Sequence, residues 1–173
     1  MGYTHYWDFV DNCSLYDFST AIADCTKIIK ASPVPLGNWD GEGEPTLTEY
    51  ASTVKEVHFN GSKDDSHEDF KVSLQSFRNK GNWFCKTAQK PYDIVVVACL
   101  CVLEDRLGKN FQARSDGAPH EWEDGKNLAF EVLGRDIKIP QNVIDQVNMK
   151  DDYVKQYRKD HPEYNYINRP FLG

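Results

Sequence analysis

No two of the five cysteines, Cys13, Cys25, Cys85, Cys99 and Cys101, stand in a CxxC spacing, and their number is odd. A zinc site of the usual kind is therefore not written into the chain. No apolar run approaches the roughly 18 residues that a membrane span needs. Met1–Asp11 is aromatic and acidic rather than basic and then apolar, unlike a secretory leader. Internal repeats and low-complexity tracts are missing too. Positive charge is short, with 20 Lys and Arg against 27 Asp and Glu and a formal net charge of −7. Phosphate contacts dominate affinity for duplex nucleic acid, so an acidic chain is a poor partner for it. The expectation is a cytoplasmic protein in a reducing compartment, with no membrane partner, no metal and no cofactor. A local basic patch remains at Lys80, Lys86 and Lys90, with Arg78 nearby.

What is present is enough to bury a core. The 173 residues are 40% hydrophobic and 13% aromatic, which suits one domain with a short appended arm. The chain is organised around Trp83–Gly108, WFCKTAQKPYDIVVVACLCVLEDRLG. A short strand enters a polar turn at Lys86–Lys90, and a buried helix follows. Pro91 suits a first helical turn, where its missing N–H costs nothing. Gly108 suits the left-handed residue just past the end. The β-branched run Val95–Val97 favours a strand, but Ile94–Leu103 is apolar throughout and the segment exceeds strand length, so helix is the reading.

In chain order, Tyr3–Phe9 reads as a central strand. Leu15–Ala31 follows as an amphipathic helix, with Leu15, Phe18, Ile22, Cys25, Ile28 and Ile29 at helical spacing and Lys27 and Lys30 at its C-terminal end. Ser32–Pro45 holds three prolines and three glycines and reads as a long loop or lid carrying Trp39. Val54–Phe59 reads as a strand ending in the turn pair Asn60-Gly61. Phe70–Phe77 alternates as a half-buried strand, with Trp83–Lys86 antiparallel to it. Asn110–Arg114 makes a short strand, Ser115-Asp116-Gly117 a turn, and Pro119–Leu133 a last helix closed by Gly134, with Gly125 an oddity inside it. From Arg135 the composition changes: Ile137–Pro140 reads as extended, Asn142–Tyr157 as short helices, and the end as an aromatic arm with Tyr164, Tyr166 and Phe171. The fold class expected is α+β, a mostly antiparallel sheet packed against two or three helices, one of them largely buried. The domain is placed at 1–134 and the arm at 135–173.

Several constellations could carry chemistry. Lys86, Thr87 and Lys90 stand ahead of a helix N-terminus, where backbone N–H groups favour an anion. Trp83, Phe84 and Tyr92 flank them. The competing account is a solvated turn in which Asp93 satisfies the free N–H groups. Asp64, Asp65, His67, Glu68 and Asp69 match no defined metal spacing and read as a charged surface loop, with His67 and Glu68 able to face a pocket. Cys85 is a candidate nucleophile lowered by Lys86, or more ordinarily a buried structural thiol. His5 reads as a core histidine or as a pocket wall beside Lys86. Gly37–Gly43 is too acidic for a phosphate loop. Arg114, Ser115, Asp116 and Gly117 end a strand, where open sheets place ligands, or simply form a turn.

Together, Gly2-Tyr3-Thr4-His5-Tyr6-Trp7, Phe59-Asn60-Gly61, His67-Glu68, Phe84-Cys85-Lys86-Thr87-Ala88, Lys90-Pro91-Tyr92-Asp93 and Ser115-Asp116-Gly117 resemble a family of small uncharacterised proteins found mostly in bacteriophage genomes. The resemblance runs from Met1 to about Gly134. It implies viral origin, an accessory role and a host-cell cytoplasmic setting. The resulting expectation is a non-enzymatic protein that binds a small anionic ligand such as a nucleotide immune signal of the host. Lys86, Lys90 and Arg114 would neutralise phosphates, and Trp39, Tyr6 or Tyr92 would stack a base. Thr87, Ser115 and Asp116 would bond a ribose or orient neighbours, with Asp93, His5 and His67 lining the site. Two alternatives stand beside it. One is a hydrolase or transferase on a nucleotide or nucleic-acid end, using His5 or His67 with Glu68 or Asp116 as acid and base. The other is a protein–protein inhibitor of a host factor. The arm is a candidate for homo-oligomer contacts.

Overall fold

The structure, a computed structural model, describes residues 2–47, 55–145, 156 and 159–162. It is α+β, with antiparallel sheets and five α-helices among the described residues. Strand β1 (Thr4–Phe9) lies in the centre of a three-stranded sheet, between β6 (Asn82–Lys86) and β7 (Phe111–Ser115). Alternation along β1 turns His5, Trp7 and Phe9 into the core and leaves Tyr6 exposed. A second sheet is built on β4 (Glu56–Gly61), which pairs with β2 (Leu36–Gly37), β3 (Thr46–Leu47) and β5 (Phe70–Ser73).

Helix α1 (Leu15–Lys30) starts where the Ser14 hydroxyl accepts from the Asp17 N–H at 3.0 Å, a side-chain cap of ordinary kind. It buries Phe18, Ala21, Ile22, Cys25, Ile28 and Ile29 against α3 (Asp93–Leu107). Every residue of α3 from Val95 to Glu104 is buried, as its uninterrupted apolar run requires. Gly108 closes it at φ +56°. On its other side lies α4 (Glu123–Leu133). There the puzzling Gly125 finds its reason, because a Cβ at that position would fall 2.4 Å from Val97 Cγ1. The two helices touch where only a hydrogen fits.

Several elements differ from the sequence reading. The segment expected as one strand over Phe70–Phe77 divides at Ser73. Its hydroxyl caps the Ser76 N–H, and Ser76 Oγ accepts from the Ser73 N–H, so Leu74–Asn79 becomes helix α2. Strand β6 pairs with β1 rather than with β5, in the register Trp7↔Trp83 and His5↔Cys85. Asn60-Gly61 does not turn. These residues finish β4 opposite Gly37 and Leu36, and the chain reverses afterwards through a short 3-10 turn at Lys63–Asp65. Strand β4 begins at Glu56, and Val54 lies outside the described residues. Ser115 ends β7 instead of opening the following turn. The helix expected from Pro119 starts as a 3-10 turn, Pro119–Trp122, before α4. The loop expected as a lid is tied down, with Asn38 N–H donating to the Glu42 carbonyl at 2.8 Å and Lys63 N–H to the Gly41 carbonyl at 2.8 Å.

Beyond Gly134 the chain runs without regular secondary structure and then forms α5 (Gln141–Asp145). Ile137, Ile139, Val143 and Ile144 join the same core as α3. Tyr164, Tyr166 and Phe171 lie outside the described residues. No helix among the described residues is long and apolar enough to cross a membrane.

Candidate functional site

The junction between β6 and α3 gathers most of the residues nominated from sequence. Lys90 N–H donates to the Thr87 carbonyl at 3.0 Å, closing a turn over Ala88 and Gln89. Both central residues are left-handed, at φ +51° and +56°. That pattern belongs to type I′ turns, normally built from Asn and Gly. In other residues it costs about 1–2 kcal/mol each, and such strain persists only where surroundings hold it. Here Ala88 N–H donates to the Tyr3 carbonyl at 3.2 Å, and the Gln89 side-chain amide donates to Glu121 Oε1 at 2.7 Å.

On the outer side of this turn, one amide organises a ledge. Buried Asn60 donates through Nδ2 to the carbonyls of Trp39 and His67, at 3.1 and 3.0 Å. His67 Nδ1 in turn sits 2.8 Å from the Lys86 carbonyl. A carbonyl only accepts, so this nitrogen carries the proton and Nε2 is left with its lone pair in the neutral ring. Trp39 and His67 are exposed, Lys86 and Lys90 half-buried, and the Lys86 side chain runs past Gly2, where a Cβ would meet its Nζ at 3.0 Å. The Lys90 ammonium donates to the Asp64 carbonyl at 2.9 Å, a contact that leaves its charge unneutralised.

On the inner side lies a buried polar network. His5 has no exposed surface. Its Nε2 stands 2.7 Å from Asp93 Oδ1, and its Nδ1 stands 2.9 Å from Ser115 Oγ. The Thr87 hydroxyl also donates to Asp93 Oδ1. Tyr3 and Trp122 meet the His5 ring edge-on from two sides, each with centroids 5.1 Å away. Asp93 thus serves two side-chain donors, not the free N–H groups of the α3 start.

Other nominated residues have different work. Tyr92 is buried and donates to the Glu68 carbonyl at 2.6 Å, so it cannot stack a ligand. Arg114 is paired with Asp8 at 2.6 Å. Tyr6 faces outward beside Arg114 and Phe84 in the sheet register. Asp116 accepts from the Thr4 N–H at 3.0 Å and fixes the end of β7. Cys85 is buried, and burial pushes its thiol well above the ordinary value, opposite to what a nucleophile beside Lys86 needs. The acidic loop is dispersed: Asp69 pairs with His58 at 2.5 Å and Glu68 accepts from the Lys86 N–H at 2.8 Å. Among the described residues, no group of three or more His, Cys, Asp or Glu is gathered to hold a metal ion.

A cavity of about 830 Å³ lies elsewhere, along the outer face of α1. Tyr16, Thr20, Lys27, Lys30 and Leu47 line it, with Lys55 and Arg106 adding charge. At its floor Asp24 is almost wholly buried and accepts from Arg106 at 2.7 Å and Arg135 at 3.0 Å. Burial alone would raise this carboxyl, but hydrogen bonds and charges from the two arginines outweigh it and hold it below the usual range. Sequence reasoning missed this groove. Lys27 and Lys30 suit the helix dipole equally well, and the signal for a groove is the outward spacing of Tyr16, Thr20, Ala23, Lys27 and Lys30.

The chain matches no protein-family model, no curated protein and no solved structure.

Proposed function

We propose that the protein binds a small anionic ligand of the nucleotide class on the ledge formed by Trp39, His67, Lys86 and Lys90. The supporting observation is the Asn60 amide, which ties the Trp39 and His67 segments together beside the strained turn that Lys86 precedes and Lys90 closes. A flat exposed indole, an imidazole nitrogen and two ammonium groups then present complementary chemistry to a base and its phosphates. The resemblance to phage proteins makes a host nucleotide signal the class to test first, with sequestration as the outcome of binding.

A panel of nucleotides, cyclic and linear, should raise the melting temperature. A ligand at a hundredfold excess over its Kd stabilises by about 2.7 kcal/mol. Lys86→Ala and Trp39→Ala should each abolish that shift. No shift across the panel would remove this reading, and ligand recovered chemically altered after denaturation would replace binding with turnover.

The α1 groove supports a second location for the same ligand class. Its volume lies in the range of small-molecule sites, and Lys30 adds positive charge beside Lys27 and Arg106, which share the single Asp24 carboxylate. Binding that survives Lys86→Ala but fails in Lys30→Glu would assign the anion there.

A further inference from the structure

We propose that Ser115, His5, Asp93 and Tyr3 form a serine-nucleophile hydrolytic centre acting on carboxylic esters. This goes beyond anion binding and does not depend on the ledge holding a ligand. The geometry runs in one direction. Asp93 accepts from His5 Nε2 and from Thr87, which leaves its carboxylate oxygen committed to orienting the ring. A carboxylate only accepts, so His5 Nε2 carries the hydrogen and Nδ1 faces Ser115 as the acceptor in the neutral ring. Ser115 Oγ, 2.9 Å from that nitrogen, also accepts from the Gly117 N–H at 2.8 Å. Its proton therefore points to the base while a backbone donor stabilises the oxygen it leaves. Nucleophile, base and orienting carboxylate stand in the relation that activates a serine hydroxyl. The two imidazole nitrogens exchange the roles they have in chymotrypsin-like enzymes.

The fourth member is Tyr3. Its hydroxyl is buried and lacks a hydrogen-bond partner of good geometry. It lies near enough to Ser115 to influence it. A Cβ on Gly117 would meet this hydroxyl at 2.1 Å, so the glycine leaves room for it. Burial, then Asp93 and Glu121, push the phenol well above its ordinary value, which keeps it a donor at any working pH. Held against Ser115, this donor is placed to turn to the oxyanion that forms there.

In the reaction, Ser115 Oγ bonds to the ester carbonyl carbon and His5 Nδ1 takes the hydroxyl proton. The carbonyl oxygen becomes the oxyanion and accepts from Tyr3. Collapse breaks the bond to the leaving alcohol, which takes the proton from His5. Water then attacks the acyl-serine, gives a proton to His5, and releases the carboxylic acid as Ser115 recovers its own. The net change is ester plus water to acid plus alcohol.

The test uses the full chain. A fluorophosphonate probe should label the folded wild-type protein, and peptide mass spectrometry should place the adduct on Ser115. Hydrolysis of p-nitrophenyl acetate should fall about a hundredfold or more in Ser115→Ala. Tyr3→Phe, which keeps the ring, should lower turnover by a similar factor while Ser115 still takes the label. An adduct absent from Ser115 in the folded wild type, or unchanged turnover in Ser115→Ala, would overturn the proposal. The wild-type labelling result stands even if a variant fails to fold.

Discussion

Asp24 is the residue whose removal should move stability and anion affinity in opposite directions. Asp24→Asn keeps the shape of the side chain and deletes its charge. The carboxylate is 3% exposed and joins Arg106 and Arg135, whose side chains are 36% and 31% exposed. Removing one partner of a fully buried pair costs about 3–5 kcal/mol. Here the arginines are partly solvated, so water screens much of their loss, and about 2 kcal/mol is the fitting magnitude. For a chain of this length that lowers the melting temperature by about 4–8 °C. The groove meanwhile loses the one carboxylate that lines it among the described residues. At an effective dielectric between that of a protein surface and water, this is worth roughly 1 kcal/mol to an incoming anion, about fivefold in Kd.

The pH dependence separates this account from a packing defect. A folded value held below the unfolded 3.8 contributes stability that is fully present above that pH and is lost as pH falls through the folded value. Wild type and Asp24→Asn should therefore differ by the full amount at pH 7 and converge in acid, measured by urea denaturation at each pH. Pyrophosphate titrations at low salt supply the affinity arm. A difference between the two proteins that stays constant down to the lowest pH at which both fold would refute the electrostatic reasoning.

Other outcomes follow from single contacts. Gly125→Ala should destabilise the protein by about 2–3 kcal/mol through overpacking, because its methyl would overlap Val97 and approach the Ala98 backbone. Denaturant midpoints would show it, and a neutral result would mean that α3 and α4 separate freely. Gln89→Gly relieves a left-handed residue worth about 1–2 kcal/mol, offset by about 0.4–1 kcal/mol of unfolded-state entropy. With the exposed bond to Glu121 lost as well, a net gain of no more than about half a kcal/mol is expected from denaturant midpoints.

The parts of the fold legible in the sequence are those whose signal is local. An apolar run too long for a strand announces α3, and spacings of three and four announce α1. The division at Ser73 was hidden because two residue patterns overlap there. Phe70, Val72 and Leu74 alternate like a strand, while Ser73 and Ser76 carry a reciprocal cap, and the cap won. Pairing was less legible still. Strands β1 and β6 are both short and aromatic, and nothing within either one names its partner.

The candidate site repeats this division. The nominated residues do gather around the β6–α3 turn, but their roles depend on partners far away in sequence: His5 meets Asp93 across 88 positions and Ser115 across 110. Asp93 illustrates the cost of local reasoning. At the start of a helix it looks like a cap, yet buried donors without partners are more expensive than exposed helix N–H groups that water can satisfy. His5 and Thr87 therefore both take its Oδ1. The same competition explains why Arg114 and Tyr92, both nominated from sequence, are engaged elsewhere. Each had a nearer acceptor, Asp8 for one and the Glu68 carbonyl for the other. Lys86 and Lys90 keep charges that no carboxylate among the described residues cancels, and that is why anion binding is proposed at these two.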